Sequence, residues 1–163
     1  MKARFEADGL LELLAHAFEQ PTWHGANLRE ALSGVTLSQA LWRPAPERHN
    51  IWELALHCAY WKHVVIRALK GFDNASGFLR QPDNFPALPE ARQSAWETDL
   101  GLLEETHQTL LECVRSFDVA RLDRPTEAGN SRTYAELIFG VANHDLYHAG
   151  QIRLLLTLQQ GAA

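Results

Sequence analysis

The chain has 163 residues, 46% of them hydrophobic and 21% charged, with a formal net charge of −5 and a pI near 5.9. That length suits a single domain, 1–163, with a sizeable core, and an acidic chain whose lysines and arginines are scattered singly lacks the basic stripe of a nucleic-acid surface. No window is apolar enough to span a membrane, and the opening Met1-Lys2-Ala3-Arg4-Phe5-Glu6 turns acidic where a leader would turn apolar, so the expected setting is cytoplasmic.

The first helix is expected over residues 3–19, where Phe5, Leu10, Leu13, Leu14, Ala17 and Phe18 recur near helical spacing, until Gln20-Pro21 interrupts it. A short helical piece from Ala26 to Ser33 ends at Gly34, and Thr36 to Trp42 gives another. The connection Arg43 to His49 carries Pro44 and Pro46, so the first crossover is long for a helix hairpin. Asn50 with Glu53 reads as a capping box that opens a helix running to Lys70 and stopping at Gly71. The irregular stretch Phe72 to Pro89, with Pro82, Asp83, Asn84 and Pro86, is long enough for a site loop or lid.

A long amphipathic helix follows from Pro89 to Phe117, with Trp96, Leu100, Leu103, His107, Leu110, Leu111 and Val114 on its apolar side. After a connection over 118–131, Thr133 and Glu136 give a second capping box, and the last helix continues to Gln160 before Gly161. No strand-period segment competes, so the fold class is all-α, a four-helix bundle with a long first crossover.

Chemistry concentrates in the last helix, where His144 and His148 stand four residues apart. At roughly 100° per residue the two rings share one face. Leu137, Gly140, Val141, Tyr147, Gln151 and Leu155 all project within about 60° of His144, so the pair lies inside an apolar stripe. Buried imidazoles need partners, and one metal ion would satisfy both. A third ligand must come from a facing helix, and His57 is the best placed, on a stripe with Leu54, Tyr60, Trp61 and Val64. Its neighbour Cys58 points elsewhere and, like Cys113, reads as a buried thiol; His63 faces away. His16, His24, His49 and His107 read as solvent-facing or packing residues.

Three neutral imidazoles leave open positions on a divalent ion, as a catalytic site requires; imidazole suits zinc, nickel, copper and iron about equally, and zinc or nickel is the expectation. Gln151, one turn past His148, is a candidate to orient an imidazole or hold substrate; Tyr147 offers a phenol. For each, a purely structural role stands beside the functional one. Trp61 is the candidate for contact with a bound cofactor, and Trp23 and Phe85 are expected to line the same pocket.

Asn50-Ile51-Trp52-Glu53-Leu54-Ala55-Leu56-His57, the Pro82-Asp83-Asn84-Phe85-Pro86 loop and His144-Asp145-Leu146-Tyr147-His148-Ala149-Gly150-Gln151 together resemble the DinB superfamily. That superfamily includes bacillithiol transferases and a mycothiol-dependent maleylpyruvate isomerase. The resemblance implies a divalent ion on His57, His144 and His148, a low-molecular-weight thiol as a second cofactor, a small-molecule electrophile as substrate and a homodimer. It therefore implies a thiol-dependent transferase; a metal-dependent hydrolase and a non-catalytic, stress-induced metal-binding bundle are the alternatives. Phe85 stands where the family often has tryptophan.

Overall fold

Four of the six α-helix starts among the described residues follow capping chemistry. The computed structural model describes residues 6–71, 77–126 and 132–161. They form α1 (Ala7–Phe18), α2 (Leu28–Leu32), α3 (Leu37–Leu41), α4 (Ile51–Lys70), α5 (Gln93–Ser116) and α6 (Tyr134–Gly161). At the head of α4, Asn50 Oδ1 accepts from the Glu53 amide at 2.9 Å while the Asn50 amide donates to Glu53 Oε2 at 3.1 Å. Thr133 and Glu136 exchange the same pair of bonds ahead of α6. Asn27 with Glu30 and Thr36 with Gln39 cap the two short crossover helices in the same way. Each box satisfies amides that the helix cannot.

The four long helices α1, α4, α5 and α6 make the bundle, α4 lying against both α5 and α6, and α1 against α6 and α5. Among the described residues there is no strand, only an isolated bridge between Pro125 and Thr133. The first helix lies within the expected span, whose first residues, 3–5, fall outside the described residues. The third long helix starts at Gln93 rather than Pro89. Pro86 and Leu88 instead pack inward as part of the loop, and no side chain caps α5 at Arg92.

The core divides into two apolar halves. One gathers Phe18, Leu28, Trp52, Trp96, Leu103 and Ile152; the other gathers Leu10, Leu14, Leu110, Val114, Tyr134 and Ile138. In the sequence of each helix, a polar residue sits where one half gives way to the other: Lys62 on α4, His107 on α5 and Asp145 on α6, all three fully buried. Lys62 Nζ donates to Asp145 Oδ2 and lies 3.3 Å from His107 Nδ1. Of the two readings open for His107, solvent-facing or packing, the structure takes the second: it is sealed in, stacked on Phe18 with ring centroids 3.9 Å apart.

The long loop is tied down rather than loose. Arg80 donates to Asp99 Oδ1 at 2.6 and 2.9 Å, and the other oxygen of that buried carboxylate accepts from Trp52 Nε1 at 2.9 Å. Phe78 buries in the core, and Phe85 is sandwiched between His49 and His57, with centroids 3.7 and 4.1 Å away. These anchors deliver residue 84 to the side of α4.

Candidate metal centre

His57 from α4 and His144 and His148 from α6 converge. His144 Nε2 lies 3.1 Å from His57 Nε2 and 3.0 Å from His148 Nε2. Helical spacing puts the α6 pair on one face, and the packing of α4 on α6 brings the third ring to them.

Proton positions follow from the outer nitrogens. His57 Nδ1 lies 2.7 Å from the backbone oxygen of Asn84, which can only accept, so Nδ1 carries the proton and Nε2 a lone pair. His148 Nδ1 lies 2.7 Å from Gln151 Oε1, which fixes the same tautomer. Two lone pairs therefore face His144 Nε2, which can donate to one of them at most. Its own Nδ1 is buried without a partner. The cluster is short of positive charge at its centre.

A proton would supply that charge, but burial opposes it. Desolvation, reinforced by the neighbouring His148 and His57, lowers the His144 pKa to about 3. Burial likewise takes His148 to about 4, against the pull of its bond to Gln151, and depresses His57. All three rings are neutral at pH 7, the form that ligates metal. Two nitrogens about 2.0–2.1 Å from a tetrahedral zinc ion lie roughly 3.3–3.4 Å apart, so the His144–His57 and His144–His148 pairs would each open by only a few tenths of an ångström to admit one, and all three ligand atoms lie within 4.8 Å of one another.

Behind the centre, Cys58 Sγ, a nitrogen of His144 and a carboxylate oxygen of Asp145 also lie within 4.8 Å of one another. Burial, then the Asp145 carboxylate, pushes the Cys58 thiol well above its ordinary pKa, and Asp145 is already bonded to Lys62. A protonated thiol, and a carboxylate whose charge is already balanced by Lys62 through Oδ2, make this a core contact rather than a ligand set.

The three-histidine cluster opens into a groove of about 600 Å³ between α4 and α6, walled by Val64, Val65, Leu137, Gly140 and Val141. Trp61 and Tyr147 line it beside the histidines. Tyr147 is 63% exposed, so its ring is a rim residue and not core packing. Trp61 Nε1 donates to Asn84 Oδ1 at 3.0 Å. Trp23, expected near the pocket, is 96% exposed and outside it, because the break after α1 points its ring to solvent. Phe85 supports His57 from behind instead of lining the groove.

Asn84 is the residue that sequence reasoning missed. Its carbonyl sets the His57 tautomer, its side chain holds Trp61, and its φ of 72° is a left-handed conformation that asparagine tolerates better than most residues. An asparagine just before Phe-Pro, in a loop already suspected of serving a site, was the available signal.

A helical bundle with a groove ending on three converging neutral histidines defines a candidate metalloprotein of the all-α class. Residues 20–152 match the family model of the DinB superfamily, and the chain belongs to that superfamily. Neither a curated protein nor a solved structure gives a significant match to it. Among the described residues, no helix is long and apolar enough to cross a membrane.

Proposed function

We propose that the protein is a divalent-metal-dependent transferase that joins a low-molecular-weight thiol to a small electrophile, with zinc or nickel held by His57, His144 and His148. The observation that carries this reading is the convergence of three neutral imidazole Nε2 atoms at one end of a largely apolar groove. When bound, such an ion supplies Lewis acidity that brings a thiol toward its thiolate at neutral pH. In the transfer, the S–C bond forms as the leaving group departs with its electron pair, and the thiol proton passes to solvent.

The chain's own groups bind and orient. Gln151 and the Asn84 carbonyl fix the rings of His148 and His57 so that both present Nε2 to the centre. Trp61 offers a rigid face beside His57 and His144 for the thiol cofactor. Tyr147, on the rim, is placed to donate its phenol to a polar group on the electrophile.

The test is turnover of 1-chloro-2,4-dinitrobenzene by the zinc- or nickel-loaded protein with a low-molecular-weight thiol. Thioether formation that depends on both metal and thiol, and is lost in His57→Ala, is the expected result. Ester cleavage of p-nitrophenyl acetate that persists unchanged without any thiol would replace this reading with hydrolysis. Absence of both, with metal bound, would favour a non-catalytic bundle.

We also propose a homodimer. Phe139, Leu154 and Leu158 are exposed apolar side chains along α6 that do not line the groove, and a second copy could cover them. Sedimentation of wild type against Leu154→Glu checks this. Two buried free cysteines, Cys58 and Cys113, fit a reducing cytoplasmic setting.

A further inference from the structure

The groove shows what kind of molecule it is shaped for. Most of its wall is hydrocarbon from two helices, Val64 and Val65 on α4 and Leu137 and Val141 on α6, and the charged Arg132 and Glu136 line it only where α6 begins, two turns and more before His144. At 1.5 Å per residue, the stretch of α6 from Leu137 to His148 is about 16 Å long, and that of α4 from His57 to Val65 about 12 Å. A volume of about 600 Å³ lies within the range of small-molecule sites and far exceeds what a metal-bound water needs.

Gly140 sits in this wall one turn before His144. Glycine inside a helix costs roughly 0.5–1 kcal/mol against alanine. No close packing asks for it, since a Cβ built there meets nothing within 4 Å. Nor does the backbone, because the residue lies within regular α6 and is not among the positive-φ glycines. What the missing side chain does leave is open groove beside the histidines.

We propose that this groove takes an elongated, apolar organic electrophile, its hydrocarbon part along Val64, Val65, Leu137 and Val141 and its reactive carbon at the histidine end, and that Gly140 sets the bulk admitted. The electrophilic character rests on the transferase reading above; the apolar, elongated occupant rests on the groove alone. Gly140 is a specificity-determining residue, not a ligand.

The experiment follows amide chemical shifts while primary alcohols from butanol to octanol are titrated into wild type, Gly140→Ala and Gly140→Leu, each with zinc and again with EDTA. In wild type, Kd falls about three- to fourfold per methylene, and the shifts cluster at residues 64, 65, 137, 140 and 141. Gly140→Leu weakens octanol at least tenfold, with butanol little changed and Gly140→Ala between. Both substitutions keep or raise the melting temperature, because leucine and alanine are better helix formers than glycine. Zinc leaves the chain-length dependence intact, so the groove is read independently of the metal chemistry.

Affinity that does not grow with chain length, shifts centred on Leu154 and Leu158, or a Gly140→Leu variant that binds octanol like wild type would each overturn the proposal. A second arm uses 1-bromoalkanes with a thiol and the zinc-loaded protein. There kcat/KM rises with chain length in wild type and flattens in Gly140→Leu. No turnover in this arm beside normal alcohol binding overturns the electrophile and the transferase reading together, while the apolar occupant stands.

Discussion

Two histidine-containing clusters lie in one bundle and are built on opposite principles. Around His107, the Lys62 ammonium and the Asp145 carboxylate neutralise each other inside the core, and no opening leads to them. Around His144, three rings meet with no charge among them and a groove at their side. The first is compensated from within, leaving only His107 Nε2 and Asp145 Oδ1 without partners. The second lacks positive charge that only something from outside can bring. Burial of histidine in a helical bundle therefore does not indicate a site; an uncompensated set of lone pairs facing an opening does.

Breaking the sealed cluster should have the largest effect. Lys62→Met leaves the Asp145 carboxylate buried without its counter-charge, and such losses cost about 3–5 kcal/mol. The double variant Lys62→Met/Asp145→Leu removes both charges and should recover most of that loss, since an apolar pair of similar volume is often neutral. Urea denaturation of the metal-free protein measures both. A double variant no more stable than Lys62→Met would show that the pair does more than compensate itself.

The open cluster should respond to ions where the sealed one does not. Zinc at 100 times its Kd should stabilise the protein by about 2.7 kcal/mol. That gain should vanish in His144→Ala and survive in His107→Leu, read as melting temperature together with metal content. Acid probes the same centre by another route. The folded-state pKa values of His144 and His148, about 3 and 4, lie below the ordinary 6.5, so neutral burial contributes stability that is fully present above pH 6.5. It is lost progressively as pH falls from 6.5 toward 3. The urea midpoint of the metal-free protein should drop through that window, and that of His144→Ala should drop less.

Within the open cluster, the partner that orients a ligand should matter less than the ligand. Gln151→Leu keeps all three imidazoles and removes the acceptor at His148 Nδ1. Loss of such a partner typically weakens metal binding 10- to 100-fold. Competition with a chelator measures it, and an unchanged zinc affinity would mean that Gln151 serves only packing.

The unequal legibility of the two clusters has a physical cause. His144 and His148 were readable because i,i+4 spacing on an apolar stripe fixes a shared face without any tertiary information, and the stripe of α4 nominated His57 in the same way. The capping boxes at Asn50 and Thr133 set helix starts by local bonds, so those boundaries were readable too. Lys62 and Asp145 were not, because charged residues look like a solvated face until the fold pairs them across 83 positions. His107 lay on a recognised apolar stripe, yet only the stacking on Phe18 shows how deep it sits. Asn84 depends on a loop whose course is set by Arg80 and Phe85 docking at distant helices, which no periodicity encodes. Trp23 shows the reverse error: a large aromatic suggested a pocket, and the local break turned it outward.

The smallest effect expected separates the two jobs of Asn84. Its carbonyl accepts from His57 Nδ1 and its side chain accepts from Trp61, at a backbone φ of 72°. Asn84→Gly keeps the carbonyl and suits that φ, so it removes only the exposed bond to Trp61, at most about 0.5–1 kcal/mol. Asn84→Ala removes the same bond and adds left-handed strain of roughly 1–2 kcal/mol. If the loop relieves that strain by moving, the carbonyl leaves His57 and zinc affinity falls. Asn84→Gly should then bind zinc nearly as wild type does, and Asn84→Ala more weakly, in chelator competition. Equal affinity in both variants would mean that the carbonyl holds its place without the left-handed turn, and that the Phe85 stack alone positions His57.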